Sequence, residues 1–178
     1  MSEAAANDFG RIPYLQADYV GRPGERYFRL LARKGTQSAC LWLEKEELQA
    51  LALAIDQLLG LAPQTTIARI GAAQPVADFP EEPTVEFKIG RLGVGQQEDD
   101  QDDYSIIAHD TESDPEGPPT FRCQVSRRQL MALSRQIDLV VAGGRPRCPY
   151  CGSYVPAGQP HACTRRNGHT HDGDSDEE

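Results

Sequence analysis

The chain contains no run of roughly 18 to 20 uninterrupted apolar residues, the length a membrane-spanning helix needs, and its first residues lack the basic-then-apolar order of a secretory leader. A cytoplasmic protein without membrane contact is expected. Missing too are the short signatures of common catalytic sites: there is no Gly-x-Ser-x-Gly elbow, no Gly-x-x-x-x-Gly-Lys phosphate loop and no His-Glu-x-x-His helix. Of the four histidines, His161 falls in a cysteine cluster, His169 and His171 lie in the tail, and His109 beside Asp110 reads as a surface pair. An enzyme is not expected. Positive charge is absent from residues 98–116, which hold nine acids and no Lys or Arg. The last seven residues, Asp172-Gly-Asp-Ser-Asp-Glu-Glu178, add five more. The net charge of -9 is therefore concentrated, and removing those two segments leaves 13 acids against 18 bases. The simplest role for such acidic stretches is solubility; a sharper one is to shield a basic surface from unwanted anions.

At 178 residues, 39% of them hydrophobic, the chain can bury a core of its own. Leu48, Leu51, Ala52, Ile55, Leu58 and Leu59 recur at helical spacing and predict a helix over 44–60 ended by Gly60. Leu130, Leu133, Ile137, Val140 and Val141 predict a second over 126–142, with Ser126 as its cap. An offset of 82 residues aligns Leu48 with Leu130, Ala50 with Ala132, Leu51 with Leu133, Ile55 with Ile137 and Asp56 with Asp138. Ahead of each helix the chain alternates as a half-buried strand does: Ala39, Leu41 and Leu43 in one copy, Phe121, Cys123 and Val125 in the other. Further extended segments fit 10–20 and 26–33, joined by an Arg22-Pro23-Gly24-Glu25 turn, and 84–92 and 104–109.

The expected fold is thus α+β: duplicated β-β-β-α halves (8–60 and 84–143) forming an antiparallel sheet with two helices on one face, plus a small C-terminal zinc knuckle over 144–168. A Pro- and Ala-rich linker at 61–83 joins the halves, and disordered ends are expected at 1–7 and 169–178. Alternation puts Phe28, Leu30, Leu41, Leu43, Phe87, Ile89, Phe121 and Cys123 under the helices, and Tyr27, Arg29, Arg33, Trp42, Lys88, Arg122 and Gln124 on the other face. Basic and aromatic groups on an open sheet can stack bases and neutralise phosphates, although such faces are more often solvated or packed against a partner.

Five cysteines is an odd number, and three of them crowd around a histidine at the C-terminal end, a pattern that suits thiolate metal ligation better than a disulfide framework. Cys148-Pro-Tyr-Cys151 can wrap a tight knuckle, and His161-Ala-Cys163 completes a tetrahedron of three sulfurs and one nitrogen. With all four positions filled by protein the implied cofactor is a structural zinc rather than a Lewis acid. His169 or His171 competes with His161 for the fourth position. A redox Cys-x-x-Cys would want a βαβ setting that the pattern does not offer. Arg145, Arg147, Arg165 and Arg166 bracket the ligands, placed to grip phosphates or to satisfy loop carbonyls. Cys40 and Cys123 fall in strand candidates and read as small buried hydrophobes.

Three segments resemble an uncharacterised bacterial family, the domain of unknown function 3090: Val20-Gly-Arg-Pro-Gly-Glu-Arg26 with the aromatic strand after it, Leu43-Glu-Lys45, and Gly144-Arg-Pro-Arg-Cys-Pro-Tyr-Cys-Gly152 running on to His161, Cys163, Arg165, Asn167 and Gly168. The likeness spans roughly residues 9 to 168; Thr164 stands where the family favours proline, and Thr170 to Glu178 has no counterpart. The resemblance implies no established activity. It suggests, through neighbouring genes for histidine-phosphatase-like and lipid-kinase-like proteins, an accessory to phosphoryl-transfer enzymes. The leading expectation is a non-enzymatic adaptor with a protein partner. The alternative is a binder of nucleic acid or a phosphate ligand through Arg29, Trp42, Lys88 and Arg122 with Arg145, Arg165 and Arg166.

Overall fold

The computed structural model describes residues 4–22, 24–61, 78–97 and 102–142. Among them the order is β1 (Asn7–Arg11), β2 (Tyr14–Val20), β3 (Tyr27–Lys34), β4 (Gln37–Leu43), α1 (Lys45–Leu58), β5 (Val85–Gln96), β6 (Asp103–Asp110), β7 (Phe121–Ser126) and α2 (Arg127–Ala142). The strands join in one sheet of order β1-β7-β6-β5-β4-β3-β2.

Both helices form where periodicity places them, because their ends carry the right chemistry. The Glu44 amide donates to Glu47 Oε2 at 2.7 Å, opening α1. At the other end Leu61 N–H reaches the Asp56 carbonyl and Gly60 N–H that of Gln57, the paired bonds of a Schellman closure. Ser126 and Gln129 exchange bonds at the start of α2, the Gln129 amide donating to Ser126 Oγ and the Ser126 amide to Gln129 Oε1. Leu48, Leu51, Ala52 and Ile55 of α1 and Leu130, Leu133, Ser134 and Ile137 of α2 are buried, each pair 82 residues apart. The two helices touch, and Ser134 Oγ donates to Asp56 Oδ1 at 2.7 Å between them.

The hairpins repeat this agreement. Phe28, Leu30 and Ala32 of β3 face Leu43, Leu41 and Ala39 of β4; Tyr104, Ile106 and Ala108 of β6 face Val125, Cys123 and Phe121 of β7 in the same register. All these side chains are buried in one core with the helices' apolar stripes, as are Phe87 and Ile89 of β5. The side expected to lie under the helices is therefore the side found there.

The expected all-antiparallel sheet is corrected to a mixed one. β4 runs parallel to β5, and β1 parallel to β7. The first follows from connectivity: α1 crosses over from β4 to β5, and two strands joined through a helix lie side by side in the same direction. Alternation reports faces, not neighbours, so it could not supply this. The extended segment expected at 10–20 is likewise two strands, broken at Ile12 and Pro13.

That break closes the sheet. β1 and β2 stand at opposite ends of the strand order. Laid flat, seven strands would hold them about 29 Å apart, whereas two linking residues span only about 10 Å. The sheet must curl until its edges meet at Ile12-Pro13. Lys34 Nζ at the end of β3 donates to the Phe9 carbonyl in β1 at 2.8 Å, across the seam. Helix α2 stitches the same corner with two glutamines seven residues apart: Gln129 Nε2 donates to the Ile12 carbonyl, and Gln136 Oε1 accepts the Ala17 amide, each at 2.9 Å. The β2 edge is thus occupied from within the chain.

Candidate functional site

Period-2 alternation turns Arg29 of β3, Cys40 and Trp42 of β4, and Glu86 and Lys88 of β5 away from the helices. Register assembles them: Asp18 pairs with Arg29, Arg29 with Trp42, and Trp42 with Lys88 across three successive strand junctions. Arg29 grips Asp18 through two parallel bonds, Nε to Oδ1 at 2.8 Å and Nη2 to Oδ2 at 2.6 Å. Asp18 is 1% exposed, so the pair is desolvated. Its geometry is the bidentate fork that makes such a pair strong. The hydrogen bond to Asp18 is the main cause that raises the Arg29 pKa further above its ordinary value, against the opposing pull of burial.

The guanidinium also lies over the Trp42 ring, 5.5 Å from its centroid, while Trp42 Nε1 donates to Glu86 Oε1 at 2.9 Å. Lys88 Nζ donates to Glu44 Oε1 at 2.7 Å in an exposed pair, and that bond raises its pKa. A second cation-ring contact flanks the first. Arg33 stacks over Tyr14 at 4.8 Å and donates to the Asp78 carbonyl, and Phe79 also stacks with Tyr14. Leu31 and Cys40, also turned from the helices, are buried nonetheless.

Of the residues singled out from sequence, Arg29, Trp42 and Lys88 are brought together. Arg122 shares their face but sits in β7, three strands from Trp42, about 14 Å across the sheet. Cys148, Cys151, His161 and Cys163, the competing His169 and His171, and Arg145, Arg147, Arg165 and Arg166 lie outside the described residues. Among the described residues no three His, Cys, Asp or Glu side chains form a metal-binding group. Burial pushes the Cys40 thiol up to about 11 and the Cys123 thiol up to about 12, so both are protonated at neutral pH and ill suited as nucleophiles.

His109 departs from its expected surface pairing with Asp110. It is 6% exposed, and its ring receives Arg91 Nη2, 3.0 Å from Nε2, while the same guanidinium group donates to the Pro115 carbonyl. Burial lowers its pKa, and the Arg91 charge lowers it further.

Asp18 and Glu86 escaped the sequence reading although a signal for Asp18 was present. A hairpin centred on the Arg22–Glu25 turn pairs Asp18 with Arg29 by symmetry alone. The turn forms as expected, the Glu25 amide donating to the Arg22 carbonyl at 2.9 Å with Gly24 at φ 93°. Glu86 had no such signal, since its approach to Trp42 depends on the parallel β4–β5 pairing.

These features define a curled α+β domain with one internally paired aromatic and ionic face. The chain belongs to the family described as protein of unknown function (DUF3090), whose model matches residues 7–163. No curated protein and no solved structure matches the chain. Among the described residues no helix is long and apolar enough to cross a membrane.

Proposed function

We propose that the chain is a non-enzymatic, cytoplasmic binding or adaptor domain acting through protein-protein contacts, with its C-terminal segment stapled by one structural zinc on Cys148, Cys151, His161 and Cys163. The observation that carries the protein-contact reading is the state of the outer-face cations. Arg29 is held by Asp18, Lys88 by Glu44, and Arg33 by a carbonyl and a tyrosine ring. A phosphate would have to break these contacts, whereas a protein surface can pack on them as they stand. On this face, Val20 and Tyr27 are cross-strand partners at the hairpin end, 42% and 68% exposed, an apolar pair next to the turn. The nucleic-acid alternative draws no support from Arg29 or Lys88 in their paired state.

The zinc reading is supported by the thiol and imidazole chemistry of the Cys148-Pro-Tyr-Cys151 and His161-Ala-Cys163 spacing. A duplicated β-β-β-α origin is supported by the shared 82-residue helix offset and the shared hairpin register.

Affinity capture tests the adaptor reading: the intact chain should retain a reproducible protein that a Val20→Ser and Tyr27→Ser double variant retains less, and recovery of nothing above background sinks it. Elemental analysis tests the staple. One zinc per chain is expected, absent from a Cys148→Ser and Cys151→Ser double variant. Chelation should expose three titratable thiols, because Cys40 and Cys123 are buried.

A further inference from the structure

A cleft of about 510 Å³ opens beside the first turns of α2, lined by Asp102, Arg127, Arg128, Met131, Ala132 and Arg135 together with Ser126. Two backbone amides of the first turn are taken: that of Arg127 donates to the Asp102 carbonyl, and that of Gln129 to Ser126 Oγ. The Arg127 guanidinium is turned to the Leu59 carbonyl at 2.9 Å. Arg128 and Arg135 differ from it and from the outer-face cations. Both are exposed, and among the described residues neither has a carboxylate within ion-pair distance. Seven residues apart on one helix, they stand about 10 Å apart along its axis, with Met131 half-buried between them. The cleft is therefore a short apolar floor of Met131, Ala132 and arginine stems between two guanidinium groups that no carboxylate among the described residues holds.

We infer that this cleft is a docking site for an acidic peptide segment of a partner protein, in which an apolar side chain rests on Met131 between two carboxylates bound by Arg128 and Arg135. Charge complementarity supplies the sign of the partner, and the floor supplies the rest of its chemistry. In a peptide of polyproline-II form, which repeats every three residues, carboxylates three residues apart share one side and lie about 9 Å apart, close to the spacing of the two arginines. The chain's own acidic stretches have the charge but not the apolar group: Glu98-Asp-Asp-Gln-Asp-Asp103 and Asp172-Gly-Asp-Ser-Asp-Glu-Glu178 contain no hydrophobic residue. A bare polyanion would likewise leave the floor unused.

The inference rests on the reading of the chain as a protein-binding domain and can fail separately from it. Its probe is a fluorescein-labelled hexapeptide, Ser-Glu-Leu-Ser-Glu-Ser, titrated with the intact chain at low salt and followed by anisotropy. Saturable binding is expected, weakened about tenfold by Arg128→Gln with Arg135→Gln and unchanged by Lys45→Gln at the far end of α1. Both arginines are exposed, so the thermal midpoint should not move. The Leu→Gly form of the probe should bind more weakly. Equal binding by the double variant, equal binding of the Leu→Gly peptide, or equal competition by oligouridylate would each overturn the proposal. So would a tenfold gain on neutralising Asp172, Asp174 and Asp176 to Asn, which would assign the cleft to the chain's own tail. Reproducible partner capture without probe binding sinks the cleft alone; probe binding without any captured protein sinks the adaptor reading alone.

Discussion

Arg29 and Ser105 occupy equivalent places in two strand groups, as do Asp18 and Gly95, and Trp42 and Gln124. On the helix side β2-β3-β4 and β5-β6-β7 carry apolar partners in matching register, except that Gln96 stands opposite Tyr104 where Tyr19 stands opposite Phe28. At these matching positions one group carries a bidentate ion pair, a cation-ring stack and a carboxylate on the indole, while the other has Gly95, Ser105 and Gln124, with Gly93, the Arg91–His109 contact and Arg122 beside them. The core constrains what faces the helices, because buried volumes must interlock. The outer face meets that demand only in part, at buried positions such as Leu31 and Cys40, so the two groups can differ over the rest of it without altering the fold.

The contrast can be broken most forcefully at Asp18. Removing it in Asp18→Ala leaves the Arg29 guanidinium without its buried counter-charge, and a loss of about 3 kcal/mol is expected in denaturant unfolding. The equivalent change in the other group, Gly95→Ala, meets no atom within 4 Å and should cost less than about 1 kcal/mol. Comparable losses at both sites would show that the asymmetry has no energetic content. Next comes Gly21→Ala in the hairpin that sets the Asp18–Arg29 register. Gly21 has φ 104°, and an added Cβ would lie 2.2 Å from the Glu25 carbonyl oxygen, so about 2 kcal/mol should be lost.

Gln136→Ala removes the acceptor of the Ala17 amide at the β2 edge and should cost about 1 kcal/mol by thermal unfolding. The smallest effect is a pH dependence in the β5–β6 group. The His109 pKa is lowered below its ordinary 6.5 by burial and then by Arg91. The unfolded chain therefore takes up that proton first, so this contribution is full above about pH 6.5 and declines as the pH falls below it. His109→Gln, still able to accept from Arg91, should flatten that slope; an unchanged slope would place its source elsewhere.

Much of the architecture was legible because it rests on local rules. Helical spacing located α1 and α2, Ser126 and Gly60 marked helix ends, and alternation sorted the two sheet faces. What escaped was non-local. Nothing in the Ala39-to-Leu43 pattern says that its next neighbour is β5 rather than another hairpin strand, and Pro13 gave no sign that β1 and β2 would meet opposite edges. The outer-face residues were named by their alternation, but their pairing was hidden. Arg29 and Lys88 read as exposed cations until Asp18 and Glu44 came within reach. His109 was misjudged for the same reason, since its cover comes from Arg91 in another strand.

The Ile12-Pro13 corner also orders events during synthesis. Asn7 Nδ2 donates to the Thr120 carbonyl, a partner 113 residues further on, so the first strand has no place to settle when it leaves the ribosome. It must wait, at several residues per second, for β7 to emerge, and contacts so distant in sequence form slowly. Closure of the ring is consequently a late step, and the unsealed nascent chain is the form most exposed to misassociation.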